Sequence, residues 1–193
     1  LFCDIRRFSA INEERGADIT LEWLRDVMGR MADCALQYDG ALIDYIGDEL
    51  MVMWGAPAEQ PDHAVRACRA ALRMVAQRAE LDHKWKARLG TTTEYGIGVN
   101  TGPAPVGSVG FEKKFRYAPF GNTVNLASRV QGATKFLGAN LVVTESTFGQ
   151  LKTKPLARRL CSVRVVNIEQ PVVLYQLFPE EETDYRELCQ EFP

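Results

Sequence analysis

The chain reads as a single α/β domain whose sheet mixes antiparallel pairs with crossovers, on three observations. Short apolar runs of strand length alternate with long segments whose apolar residues recur at helical spacing. Two neighbouring apolar runs are joined by Gly47-Asp48, the signature of a β-hairpin. At 193 residues the chain has about the size of one domain, and no repeat or low-complexity linker divides it.

Leu1 to Asp4 is short, apolar and followed by polar residues, like the carboxyl end of a strand. From Thr20 to about Tyr38, Leu21, Leu24, Met28, Met31 and Ala35 form one apolar helical face, which Asp39-Gly40 ends. Ala41 to Ile46 and Glu49 to Trp54 are the hairpin strands. Pro61-Asp62 opens the next helix, with Ala64, Val65, Cys68, Ala71, Leu72 and Val75 on one face, and the pattern runs on to about Leu89-Gly90. Tyr95 to Asn100 and Ala104 to Val109 are strand candidates around Thr101-Gly102-Pro103, and Lys113-Lys114-Phe115-Arg116 reads as a basic connection. Asn122 or Thr123 caps a helix running to about Phe136. Leu141 to Val143 is a short strand, Thr144 starts a short helix, and Arg158 to Ile168 with Val172 to Leu177 forms a final hairpin around Gln170-Pro171.

Composition narrows the function. With 23 Lys and Arg against 25 Asp and Glu, the formal charge is -2, so no global positive field exists to hold a nucleic acid polymer by counterion release. The five cysteines (Cys3, Cys34, Cys68, Cys161, Cys189) are odd in number and scattered, which predicts reduced thiols in a cytoplasmic protein. His63 and His83, on what reads as one helix, are too few soft ligands for a transition-metal centre, whereas a hard cation held by carboxylates is compatible. No apolar run reaches the length of a membrane span, no signal peptide is visible, and no direct membrane contact is expected of this segment. The opening Leu-Phe-Cys-Asp, without an initiator Met, is expected of a piece of a longer protein.

Asp4 and Asp48 each read singly as a strand end and a turn residue. At adjacent strand ends of one sheet, however, the two carboxylates would repel unless cations lay between them, and oxygen ligands suit Mg or Mn. Asn125 and Arg129 lie four apart on one helix and project from one face. That is a solvated polar stripe, or else an Arg fork with a neighbouring amide beside a phosphoryl group gaining charge. Gly96-Ile97-Gly98 signals close backbone packing.

The order of these segments resembles a known family. Phe2-Cys3-Asp4-Ile5-Arg6-Arg7-Phe8-Ser9, then Tyr45-Ile46-Gly47-Asp48-Glu49-Leu50-Met51, then Phe120-Gly121-Asn122-Thr123-Val124-Asn125-Leu126-Ala127-Ser128-Arg129 are similar to the class III adenylyl and guanylyl cyclase catalytic domain. Val106-Gly107-Ser108-Val109-Gly110 and the stretch from Pro171 to Tyr175 fit as well. The resemblance implies a ferredoxin-like mixed sheet flanked by helices and a head-to-tail homodimer with active sites at its interface. It further implies a regulatory domain in the same longer chain and cyclisation of ATP or GTP with release of pyrophosphate. Asp4 and Asp48 would be the metal aspartates, with the backbone of Ile5, for two Mg2+ or Mn2+ ions per site. Asn125 and Arg129 would position the ribose and stabilise the transition state. The backbone from Ile5 to Phe8, with Arg6 and Arg7, would cradle the β- and γ-phosphates.

Three positions depart from the family pattern. Where its adenylyl cyclases usually have Lys and an Asp or Thr for reading adenine, this chain has Asp44 and Ala118, nearer to the Glu and Cys of the guanylyl cyclases. A carboxylate at Asp44 can accept from guanine or from the adenine amino group, so the base stays open. In the tail, Val165-Val166-Asn167-Ile168 lacks the Lys that contacts the triphosphate; Arg164 is the candidate replacement, whereas Lys113, Lys114 and Arg116 could also supply the charge but read first as a solvated basic loop. These departures keep two other classes in play: a nucleotide-binding regulatory domain without turnover, and a dimerisation module.

Overall fold

The computed structural model describes residues 1–111, 114–164 and 170–179. Nine strands and six helices occur among them. β1 (Phe2–Ile5) leads through α1 (Phe8–Arg15) and α2 (Ala17–Leu36) to the hairpin of β2 (Ala41–Ile46) and β3 (Glu49–Met53). Then come α3 (His63–Ala76), α4 (Arg78–Leu89) and β4 (Tyr95–Val99). β5 (Val106–Phe111) and β6 (Lys114–Pro119) form a ribbon of their own, followed by α5 (Asn122–Phe136). β7 (Leu141–Thr144), α6 (Glu145–Gly149), β8 (Ala157–Val163) and β9 (Val172–Leu177) complete the order.

The main sheet has seven strands in the order β2-β3-β1-β4-β7-β9-β8. Its first four are antiparallel throughout, with β1 between β3 and β4, which is the ferredoxin-like arrangement the resemblance implies. β7 is added parallel to β4, and the β9–β8 hairpin extends the sheet antiparallel.

Strand alternation sorts the side chains between two cores. Cys3, Ile5, Leu50, Val52, Ile97 and Val99 point to the side covered by α2, α3 and α4, where Trp23, Met31, Met74 and Trp85 are buried. The indole N–H groups there are satisfied: Trp23 Nε1 donates to Thr93 Oγ1 at 3.2 Å and Trp85 Nε1 to Asp26 Oδ2 at 2.7 Å. On the other side Phe2 and Met51 pack on Ala127 and Val124 of α5. Asp4 shares the parity of Phe2, so it belongs to the face that α5 covers. Cys3, Cys34 and Cys68 are buried free thiols.

Several elements differ from the sequence reading. α1 has no bounds in the sequence reading beyond a start near Phe8, because Ile11 is its only buried residue and it has no apolar stripe. The long helix after Pro61 is two helices meeting at Gln77, so His63 and His83 lie on different ones. The expected basic connection is strand β6, paired with β5 from Val106↔Pro119 to Phe111↔Lys114. Lys113 lies outside the described residues. α5 is capped by Gly121 at φ +100°, without a side-chain cap; the Thr123 hydroxyl instead donates to the Pro103 carbonyl at 2.5 Å. β8 stops at Val163, and residues 165–169 of the expected strand lie outside the described residues.

Gly96 and Gly98 are what lets α5 lie on β4. A Cβ at Gly98 would sit 2.2 Å from the Gln131 amide nitrogen and 2.7 Å from the Ala127 carbonyl oxygen, and one at Gly96 would sit 2.1 Å from Thr134 Oγ1.

Candidate functional site

Asp4, the penultimate residue of β1, lies beside the β2–β3 turn, where Gly47 adopts φ +66° and the backbone reverses. The Ile5 amide donates to the Asp48 carbonyl at 3.3 Å, which pins the turn to the strand. As a result the two carboxyls meet, close enough to share a proton. Burial, then the charges of Asp48 and Glu49, together with a hydrogen bond to Asp48, push Asp4 from 3.8 up to about 7. Burial and Asp48 raise Glu49 too.

A carboxyl whose folded value exceeds its unfolded value holds an extra proton in the folded state between the two. Stability therefore falls as pH rises through that window, from about 4 to about 7. In cation-free buffer the wild type is expected to lose more thermal stability than Asp4→Asn between about pH 5 and pH 8. Parallel melting profiles of the two proteins would show that Asp4 and Asp48 are not coupled in this way.

Asn125 and Arg129 are exposed on α5, one turn apart, on the same side of the sheet as Asp4. The start of this helix is held by a residue the sequence did not single out. Asn100, just past β4, donates through Nδ2 to the Thr123 carbonyl at 2.9 Å and accepts from Thr144 Oγ1 at 2.8 Å. It ties the first turn of α5 to β7. A lone Asn after a strand gives no sequence signal for that role.

The remaining expected residues separate. The Arg6 guanidinium donates to the Ala139 carbonyl at 2.6 Å and lies 4.0 Å from Glu94, while its amide donates to the Glu94 carbonyl at 2.8 Å. Arg6 is thus an anchor for the turn after α5, and the backbone amides of Ile5 and Arg6 expected in the phosphate cradle donate within the fold. What stays open is the start of α1. Arg7 sits at φ +61° as its N-cap, and the first turn beginning at Phe8 has amides without intrahelical partners. Arg7 is largely exposed, with Glu14 3.9 Å away. Arg164 is exposed at the end of β8.

Asp44 on β2 forms an ion pair with Arg116 on β6, and its Oδ1 also accepts from the Tyr45 amide at 3.0 Å. Arg116 and Ala118 share a face of β6, so the structure does bring the two base-reading candidates to one place. Ala118 itself is buried, at 7% exposure.

Among the described residues no helix is long and apolar enough to cross a membrane. A cavity of about 410 Å³ lies beside the α5 face, lined by Phe2, Met51, Trp54, Pro119, Val124 and Ala127 among others.

The arrangement has relatives. Residues 1–177 match the family profile described as the Adenylate and Guanylate cyclase catalytic domain. Adenylate cyclase 1 of Rhizobium meliloti (strain 1021) is 31% identical over 180 residues, which is 92% of this chain and 27% of that protein. Adenylate cyclase of Anabaena cylindrica is 28% identical, over 92% of this chain and 36% of its own length. The chain therefore spans about a third or less of these curated relatives. Among solved structures, the adenylyl cyclase CyaB from P. aeruginosa superposes with a TM-score of 0.85 at 29% identity, covering 94% of this chain and 93% of that one. The guanylyl cyclase Cya2 gives 0.79 at 26%, covering 94% and 92%. The chain belongs to the adenylate and guanylate cyclase catalytic-domain family.

Proposed function

We propose that this domain is a purine nucleotidyl cyclase, converting ATP or GTP to the 3′,5′-cyclic nucleotide and pyrophosphate at sites shared by two copies of the chain. The observation that carries the reading is the Asp4–Asp48 pair, two carboxyls in contact where one is held protonated up to about pH 7 unless positive charge arrives. Its donors fit a hard divalent ion. Among the described residues no three or more His, Cys, Asp or Glu side chains gather to hold a metal. Mg2+ or Mn2+ at Asp4 and Asp48 would accordingly complete its shell with the Ile5 backbone, phosphate oxygens and water. Two such ions would lower the pKa of the ribose 3′ hydroxyl and neutralise the triphosphate.

The chain's own residues supply the rest. The 3′ oxygen attacks the α-phosphorus, the bond to the β-phosphate oxygen breaks, and pyrophosphate leaves. Arg129 faces the charge gathering on the equatorial oxygens, and Asn125 one turn before it holds the ribose. The open amides at the start of α1, with Arg7 beside them, meet the β- and γ-phosphates. A second copy is the partner: Tyr45, Ile46, Phe115, Tyr117 and Phe120, large apolar side chains on the hairpin, the ribbon and the residue after it, are 46–63% exposed and available to be covered.

The test is direct. Purified domain with Mn2+ and labelled ATP or GTP is expected to yield a cyclic nucleotide and pyrophosphate, identified by chromatography against standards. Tight nucleotide binding by calorimetry with no product from either substrate would overturn turnover.

A further inference from the structure

Gly96, Gly98 and Asn100 alternate onto the face of β4 that α5 covers, the last of them just past the strand. They meet the helix in steps: position 96 lies against Thr134, position 98 against Gln131 and Ala127, and Asn100 bonds Thr123. Two residues of strand rise about 6.7 Å and four of helix about 6 Å, so strand and helix stay nearly in step over this length. The glycines give α5 room, but the side-chain bond from Gln131 Nε2 to the Gly96 carbonyl is long at 3.4 Å, and the Gly121 cap has no side chain to hold the first turn. Asn100 holds it. Because the Thr123 carbonyl can only accept, Nδ2 must face it, and Oδ1 then accepts from Thr144 Oγ1 at 2.8 Å and Ser146 Oγ at 3.2 Å. Thr144 is fully buried, and its hydroxyl lies 3.2 Å from that of Thr147, which donates to Thr101 Oγ1 at 3.0 Å. The amide is therefore braced from behind.

We propose that Asn100 is a positioning residue for the cyclisation: through Thr123 it fixes the roll of α5 about its axis, and with it where Asn125 and Arg129 meet the ribose and the α-phosphate. Each of those two lies two residues beyond a position held on β4, Asn125 after Thr123 and Arg129 after Ala127. Two residues are about 200° of helix, so both face away from the strand. A roll of about 10° moves a side-chain end about 5–6 Å from the axis by about 1 Å. Misplacement of that size costs up to about 100-fold in rate. Asp4, Asp48 and the start of α1 belong to β1, the hairpin and the turn after β1, so the metal and triphosphate half of the site does not move with α5.

The proposal rests on the cyclase reading above. Wild type, Asn100→Asp, Asn100→Ala and Thr144→Val are compared for kcat and KM on ATP and GTP, for calorimetric binding of the uncyclisable 3′-deoxy-ATP and 3′-deoxy-GTP with Mn2+, and for melting temperature. Asn100→Asp keeps the shape and the acceptor for Thr144 but sets an oxygen against the Thr123 carbonyl. It is expected to lower kcat roughly 10- to 100-fold, with KM and analogue binding within about three-fold of the wild type and melting still above the assay temperature. Asn100→Ala acts likewise. Thr144→Val, which removes only the hydroxyl behind Asn100, gives a smaller loss of the same kind and carries the test where an Asn100 variant does not fold. A kcat within about two-fold of the wild type in both Asn100 variants overturns the proposal, as does analogue binding that weakens in step with the rate. Asn100 variants that melt below the assay temperature while Thr144→Val turns over like the wild type overturn it too, and reduce Asn100 to a brace of the fold. A wild type that binds the analogues and forms no product overturns the cyclase reading and this one together, whereas product from the wild type with kcat unchanged in the Asn100 variants overturns this one alone.

Discussion

Asp48→Ala is expected to lower cyclic nucleotide formation on the order of 1,000-fold while leaving the domain as stable as the wild type or more so. The two effects have opposite signs because the residue sits in a cluster of like charges. Removing one carboxyl relieves the repulsion that, added to burial, raises Asp4 and Glu49. It leaves the turn intact, since the bond to the Ile5 amide comes from the Asp48 backbone carbonyl and the reversal from Gly47. Arg129→Ala is expected to be inactive to a similar degree, for loss of charge stabilisation on the opposite half of the site. Mixing the two inactive proteins is then informative. In a head-to-tail dimer half the random pairs are mixed, and each mixed pair rebuilds one intact site, giving about a quarter of wild-type activity. Initial rates, melting temperatures and light scattering of the mixture check all three statements. No recovery despite confirmed mixed dimers would place each site within one chain.

Gly98→Ala is the second large effect, and it acts on stability. The added methyl would meet the backbone of α5 at Gln131 and Ala127, not the end of a side chain that can swing away. Overpacking of this kind costs typically 1–3 kcal/mol, and contact with rigid backbone belongs at the upper end. For a chain of this size that is a fall in melting temperature of roughly 6–12 °C. Activity should drop with it, because α5 carries Asn125 and Arg129. Gly29→Ala, in the exposed middle of α2 with open space at its Cβ, is expected to move stability the other way by up to about 1 kcal/mol. Thermal melts of the pair settle the matter. A tolerated Gly98→Ala would mean that the close approach of α5 to β4 is not required.

The residues that were legible beforehand are those whose signal is local. Gly47-Asp48 between two apolar runs can hardly be anything but a hairpin turn, and the four-residue spacing of Asn125 and Arg129 is decided by helix geometry alone. What escaped depends on tertiary partners. The break at Gln77 is invisible because the apolar stripe continues from α3 into α4, with Leu81, Trp85 and Leu89 all buried. β6 looked like a basic loop because Phe115, Arg116 and Tyr117 are exposed on a two-stranded ribbon with no core beneath them. The bond from the Arg6 guanidinium to the Ala139 carbonyl joins residues far apart in the chain and has no local signal. Asn100 and the Asp44–Arg116 pair are long-range contacts that no window of sequence contains.

Among the described residues the ribbon of β5 and β6 shares no ladder with the seven-stranded sheet. In evolutionary terms this uncouples two kinds of selection. Residues that hold the domain together, such as those of β1, β4 and α5, tolerate little, since each change is felt through the core. Residues exposed on the ribbon, such as Phe115, Arg116 and Tyr117, are free to drift at almost no expense in folding, so this edge of the domain can change its chemistry without loss of the fold.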